Sequence, residues 1–137
     1  MGVIFDKLSQ FGFHDAVINS VVVDNDGLEI LFKDGLYHLD INGKETTKTQ
    51  NIKLILRICD FNKKILFEHI SIRYQKKHRV IELPLEQTTE LNNLYDLIID
   101  NVYFSSFDNS VLIKCSGTQY VNAEIVIENI VDVTFVD

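Results

Sequence analysis

The chain is written mostly in period two. Leu28, Ile30 and Phe32 fall on one side of an extended strand, and Glu29, Leu31 and Lys33 on the other. Residues 17–23 are rich in β-branched side chains and run up to Asn25-Asp26-Gly27, residue types that tolerate positive φ. Together these segments predict a hairpin. Asp34-Gly35 supplies a second turn into residues 36–41, and Asn42-Gly43 closes that run, so residues 16–42 read as a three-stranded meander. Residues 44–50 (Lys-Glu-Thr-Thr-Lys-Thr-Gln) then read as a polar connection.

Alternation returns over residues 51–59, with Leu54, Leu56 and Ile58 opposed to Lys53, Ile55 and Arg57. After a polar break at residues 60–64, Leu66, Ile70, Ile72 and Tyr74 are in phase along another strand. A basic turn at 75–79 leads to a short strand at 80–83. Pro84 marks a change of character. Leu91, Leu94, Tyr95 and Ile98 recur at helical spacing, and Thr88 or Thr89 can cap the start, which predicts one helix around 85–97. A loop running into a strand at 97–104 fits the same residues.

Beyond the Asp108-Asn109-Ser110 turn, strands are expected at 111–115 and 120–127. Glu128-Asn129 breaks or bulges the pattern before a last strand in which Val131, Val133 and Phe135 share a face. The fold expected is mainly β (α+β): an antiparallel sheet or two-sheet sandwich with one helix around 85–97 closing one end. A single curled sheet holding the helix in its concave face is the alternative.

Composition sets the bounds. With 137 residues, 46% hydrophobic, six glycines and one proline, the chain fits one β-rich domain over 1–137 without a linker or low-complexity tract. Cys59 and Cys115 sit in apolar runs, as small buried hydrophobes do. There is no apolar leader and no run of 18 apolar residues, and Asp6 stands where a myristoylation motif needs Ser or Thr. These features predict a reduced, cytoplasmic protein with no membrane association.

Charge divides the chain. Ten of its 13 Lys and Arg residues lie within residues 44–79, together with only Glu45, Asp60 and Glu68 as acids, although the whole chain carries −7. Lys63, Lys64, Arg73, Lys76, Lys77 and Arg79, with Phe61 and Tyr74 nearby, have the residue types of a nucleic-acid surface. Alternation splits those charges between strand faces, and the acidic flanks oppose phosphate. A solvated face balanced by acids is the better reading, so nucleic acid is a disfavoured partner.

Catalytic chemistry finds little purchase. Phe13-His14-Asp15 offers an adjacent His-Asp pair, as in HD-type phosphohydrolases, but those enzymes are helical and recruit further His and Asp from other helices. A turn capped by Asp15, with His14 packing or bonding locally before the first strand, is favoured, leaving His14 and Asp15 as a motif of unassigned role. His38, His69 and His78 show no metal-ligand spacing, and His38 with Asp40 suits a solvated strand face. Neither cysteine lies in a setting that activates a thiolate. No nucleophile elbow or phosphate-binding glycine loop is present. The expectation is a non-enzyme with no cofactor and no metal.

The segments Phe13-His14-Asp15-Ala16-Val17-Ile18 and Asn25-Asp26-Gly27-Leu28-Glu29-Ile30-Leu31-Phe32 resemble a loose class of small bacterial proteins. That class opens with (F/L)HDxxI and a β meander, and ends in strands like Ala123-Glu-Ile-Val-Ile-Glu128 and Val131-Asp-Val-Thr-Phe135. The resemblance covers about the first 42 and last 20 residues. Some members are immunity-like proteins of Gram-positive bacteria, encoded beside toxins. The resemblance implies a non-catalytic, protein-binding role, and the chain's acidity points to a basic toxin as the partner. Candidate contacts are Asp24, Asp26, Glu124, Glu128 and Asp132, since acidic proteins steer basic enzymes towards themselves. The alternative is a self-assembling structural protein, a homo-oligomer in which residues 44–79 of one subunit meet an acidic flank of another.

Overall fold

A computed structural model describes residues 2–24, 26–58, 69–83, 89–90, 97–117 and 122–137. Among them a short helix, α1 (Val3–Leu8), precedes β1 (Phe11–Gly12), β2 (Val17–Ile18), β3 (Ser20–Asp24) and β4 (Gly27–Phe32). Next come β5 (Tyr37–Leu39), β6 (Glu45–Lys48), β7 (Ile52–Ile58), β8 (Ile70–Lys76), β9 (Arg79–Glu82) and β10 (Thr89–Glu90). The chain ends with β11 (Leu97–Ser105), β12 (Ser110–Ser116), β13 (Asn122–Ile127) and β14 (Ile130–Val136). The pairings, all antiparallel, build a five-stranded sheet (β10-β3-β4-β7-β14), a six-stranded sheet (β2-β11-β12-β13-β8-β9) and a small sheet (β1-β5-β6).

The period-two pattern is what closes the core. Leu28, Ile30 and Phe32 of β4 and Leu54, Leu56 and Ile58 of β7 are buried, as their alternation requires. They join Ile72, Ile99, Ile113 and Ile125 of the six-stranded sheet in one hydrophobic cluster. The two large sheets therefore share a core through their apolar faces, which is the sandwich arrangement. No buried side chain among the described residues is polar or charged.

Within residues 17–50, three expectations change. The run 17–23 is not one strand: Val17-Ile18 pairs with β11 in the six-stranded sheet, and Ser20–Asp24 pairs with β4 in the five-stranded one. Asn19 is the crossing point. Its amide donates to the Leu31 carbonyl (2.9 Å), and its side-chain oxygen accepts from the Lys33 amide (2.6 Å). The third meander strand, β5, leaves β4 and joins β1 and β6 instead. The polar connection expected at 44–50 contains β6. All four of its residues are exposed, so backbone pairing creates a strand that no apolar alternation announces.

In β14 the register shifts between Ile130 and Asp132. This bulge turns Val131 out to solvent and places Ile130 and Val133 in the core, so Val131 does not share their face. Phe135 remains packed against the core.

Most of the helix expected around 85–97 falls on residues 85–88 and 91–96, which lie outside the described residues. Within it, Thr89 and Glu90 are extended and pair with Val23 and Val22, and Leu97 opens β11. The described helix is α1, which buries Ile4 and Leu8, one turn apart on one face. Its Phe5 ring lies 5.6 Å from Phe104 of β11, and Lys7 Nζ donates to Asp132 Oδ1 of β14 at 2.9 Å. α1 thus spans an edge strand of one sheet and a strand of the other. Among the described residues no helix is long and apolar enough to cross a membrane.

Candidate protein-binding surface

The Phe13–Ala16 segment forms a tight turn, with the Ala16 amide donating to the Phe13 carbonyl (3.0 Å) and Asp15 at φ 64°. Asp tolerates that conformation better than most residues. The turn docks on β11 where that strand bulges between Ile99 and Asn101. The Asp15 amide donates to the Ile99 carbonyl (2.9 Å), and the Ile99 amide to the Ala16 carbonyl (2.8 Å). Asp100, the extra residue of the bulge, has its carbonyl 2.8 Å from His14 Nδ1 and its carboxylate accepts from the Ser116 hydroxyl at 3.1 Å.

A carbonyl can only accept, so His14 Nδ1 carries a proton, leaving Nε2 3.5 Å from Asp15 Oδ2. The Asp100 carbonyl, followed by the Asp15 charge, raises the His14 pKa above its ordinary value. This pair borders an open groove of about 400 Å³ that also includes Tyr37, Glu45 and Lys48. Its geometry is that of a turn latched to a bulge. His14 keeps its local contact with Asp15 and adds a link across 86 residues.

The five acids proposed as contacts do not gather on one surface. Glu124 lies on the outer face of the six-stranded sheet, 3.3 Å from the Arg73 guanidinium. Asp132 lies in the five-stranded sheet, where the hydrogen bond from Lys7 holds its carboxyl below the usual range. Asp24 and Asp26 flank the β3–β4 turn, and Glu128 follows β13. Of these elements, the β3–β4 turn and the residues after β13 reach the same end of the sandwich. The Ile58 amide donates to the Asp26 carbonyl (3.0 Å), and Ile58 pairs with Ile130 just beyond Glu128-Asn129.

That end also carries the β11–β12 turn. Its tip, Phe107, is 99% exposed, although the backbone beneath it is fixed. The Asn129 amide donates to the Asp108 carbonyl (3.2 Å) and the Ile130 amide to the Asn109 carbonyl (3.0 Å). Asn109 takes φ 52°, and the Ser110 hydroxyl donates to the Asp108 carboxylate at 2.6 Å. An aromatic ring therefore stands in water on a braced turn, with Asp26, Asp108 and Glu128 at the same end. The sequence places Asp108 in a turn without marking it as a contact, and Phe107 escapes it altogether. Their signal was an aromatic set among turn formers in Ser105-Ser-Phe-Asp-Asn-Ser110.

The basic segment 44–79 is spread more widely than one region of one sheet. Lys48 of β6 lies over the Tyr37 ring, and Lys53 of β7 faces Glu29 at 3.9 Å. Arg73 belongs to β8, in the other large sheet, and Lys77 to the turn after it. Lys63 and Lys64 lie outside the described residues. The histidines and cysteines are just as dispersed: the His38 ring lies tilted against Phe11 with centroids 4.7 Å apart, and the Asn129 side-chain amide donates to His69 Nδ1 at 2.9 Å. Burial raises the Cys115 thiol pKa to about 12, while Cys59 lies outside the described residues. Among the described residues, no three His, Cys, Asp or Glu side chains come together as a metal site would require.

No protein-family model, no curated protein and no solved structure matches the chain.

Proposed function

We propose that the chain is a non-catalytic, cytoplasmic protein-binding module that meets a basic partner with the loop end bearing Phe107, Asp26, Asp108 and Glu128. The observation that carries this reading is Phe107, almost wholly exposed on a turn whose backbone is hydrogen-bonded to its neighbour. Leaving a phenyl ring in water forgoes burial worth about 2–3 kcal/mol, and a rigid aromatic anchor recovers it in a partner's pocket at little entropic cost. The acids at the same end supply steering towards a positively charged surface. Within this class, the N-terminal Phe13-His14-Asp15 resemblance favours an immunity-like protein that neutralises a toxin by covering it.

Binding of nucleic acid by residues 44–79 gains less support, because the basic side chains are shared among sheets and Lys53 and Arg73 already face Glu29 and Glu124. The test is co-expression with the product of the neighbouring gene. Co-purification and protection from that product's toxicity are expected, with Phe107→Ser weakening binding about tenfold or more and leaving the circular dichroism spectrum unchanged. Absence of both binding and protection would end this reading; intact binding by Phe107→Ser would move the contact elsewhere.

A further inference from the structure

The register of the six-stranded sheet aligns four charges. Lys114 of β12 pairs with Glu124 of β13, Glu124 with Arg73 of β8, and Arg73 with Glu82 of β9. Flanking residues Ile113, Ile125 and Ile72 are buried, so strand alternation turns all four charged side chains to the outer face. Across the sheet the signs run plus, minus, plus, minus. Reversing the order of such a row exchanges every sign.

We propose that this face binds a second copy of the same chain, face to face, about a two-fold axis running along the strands between β13 and β8. That operation sets Glu124 opposite Arg73 of the second copy and Lys114 opposite its Glu82. A two-fold axis perpendicular to the strands and in the same plane would instead oppose like charges, so the row selects one orientation. The next row obeys the same rule. Asn122 and Gln75 are partners across β13 and β8, their amides 3.3 Å apart, and the axis opposes each to the other type in the second copy.

Existing contacts hold the row ready. Arg73 and Glu124 are 3.3 Å apart, the Ser71 hydroxyl donates to Glu82 at 3.1 Å, and Lys114 Nζ sits 5.9 Å from the Tyr103 ring centroid. Groups already oriented lose less freedom on association. Four strands about 4.8 Å apart and about 20 Å long present roughly 400 Å² per copy, half of what a stable complex buries. The dimer is therefore weak and electrostatic, dissociating as salt shortens the Debye length.

Charge reversal in two separate preparations tests it. Lys114→Glu opposes two acids across the axis, and Glu82→Lys opposes two bases, so each should weaken self-association about tenfold in sedimentation at low salt. An equimolar mixture restores both pairs in a heterodimer and should return association to near the wild-type value. Damage confined to one chain cannot be repaired by mixing. Arg73→Glu with Glu124→Arg provides a second mixing pair should either first variant misfold. Wild-type protein that stays monomeric at low salt and high concentration, or mixtures no more associated than their components, would overturn the proposal. Phe107→Ser should leave self-association unchanged, which keeps this test separate from that of the loop end.

Discussion

His14 and Asp100, 86 positions apart, are joined by a 2.8 Å contact between the imidazole Nδ1 and a main-chain carbonyl. The contact ties the N-terminal turn to the residue at which β11 departs from one-to-one pairing. Because the carbonyl and the nearby Asp15 carboxylate both favour the imidazolium, His14 should titrate above the ordinary histidine value of about 6.5. The raised folded-state value fixes the sign: the stabilising contribution is complete below the unfolded-state pKa and is lost as pH rises through the folded-state one. Histidine NMR titration should show the elevation, and Asp15→Asn should reduce it. A value at or below the ordinary one would mean that the carbonyl bond does not form in solution.

Gly35 holds the turn that diverts the chain from β4 to the small sheet. It takes φ 84°, and a Cβ there would run into the Thr49 and Gln50 carbonyl oxygens. Gly35→Ala combines backbone strain with that collision and should cost about 2–4 kcal/mol in urea unfolding. Gly43, also at positive φ (77°), has open space around it, so Gly43→Ala should cost only about 1 kcal/mol.

Cys115 faces the core from β12, and burial lifts its pKa to about 12. The thiolate is the reactive form, so in a Cys59→Ser background the native protein should resist aromatic disulfide reagents at pH 8. Labelling should appear with the urea unfolding transition. Rapid labelling of the folded protein would show that the β12 core face opens locally.

α1 is held by Ile4, Leu8 and Phe5, and at its outer side by the bond from Lys7 to Asp132. Leu8→Ala should destabilise by about 2–4 kcal/mol through lost core volume. The depressed Asp132 pKa gives the ion pair the opposite pH dependence from His14. Its contribution is present above the ordinary aspartate range and lost as pH falls through the lowered value. Asp132→Asn should flatten that acid limb of the stability profile, with a small effect at neutral pH because both partners are about two-fifths exposed.

How much was legible depended on whether a residue's role is set by its own strand or by a distant one. The inward faces of β4 and β7 could be written down from alternation, because burial on one side imposes period two on the sequence itself. The bulge that removes Val131 from the core sits inside an apolar run with no glycine to mark it. β6 has no apolar face at all, and α1 is a six-residue helix whose stability comes from packing. Such short helices leave little propensity signal.

The same division runs through the candidate surfaces. The acids were visible as residues, yet nothing in Glu124 or Asp132 says that one lies against Arg73 and the other against Lys7. Phe107 was visible as an aromatic in a turn, but its bracing comes from Asn129 and Ile130, whose amides reach the turn only after β13 and β14 are in place.

The sequence by itself determined a mainly β, antiparallel architecture and the residues of β4 and β7 that line its core, because apolar alternation is a local record of one buried face. Tertiary structure alone decided that the strand at 17–23 divides between two sheets and that α1 joins β14 of one to β11 of the other. It also aligned Lys114, Glu124, Arg73 and Glu82 in one row. Strand order and register are relations between distant segments, and local alternation does not encode them.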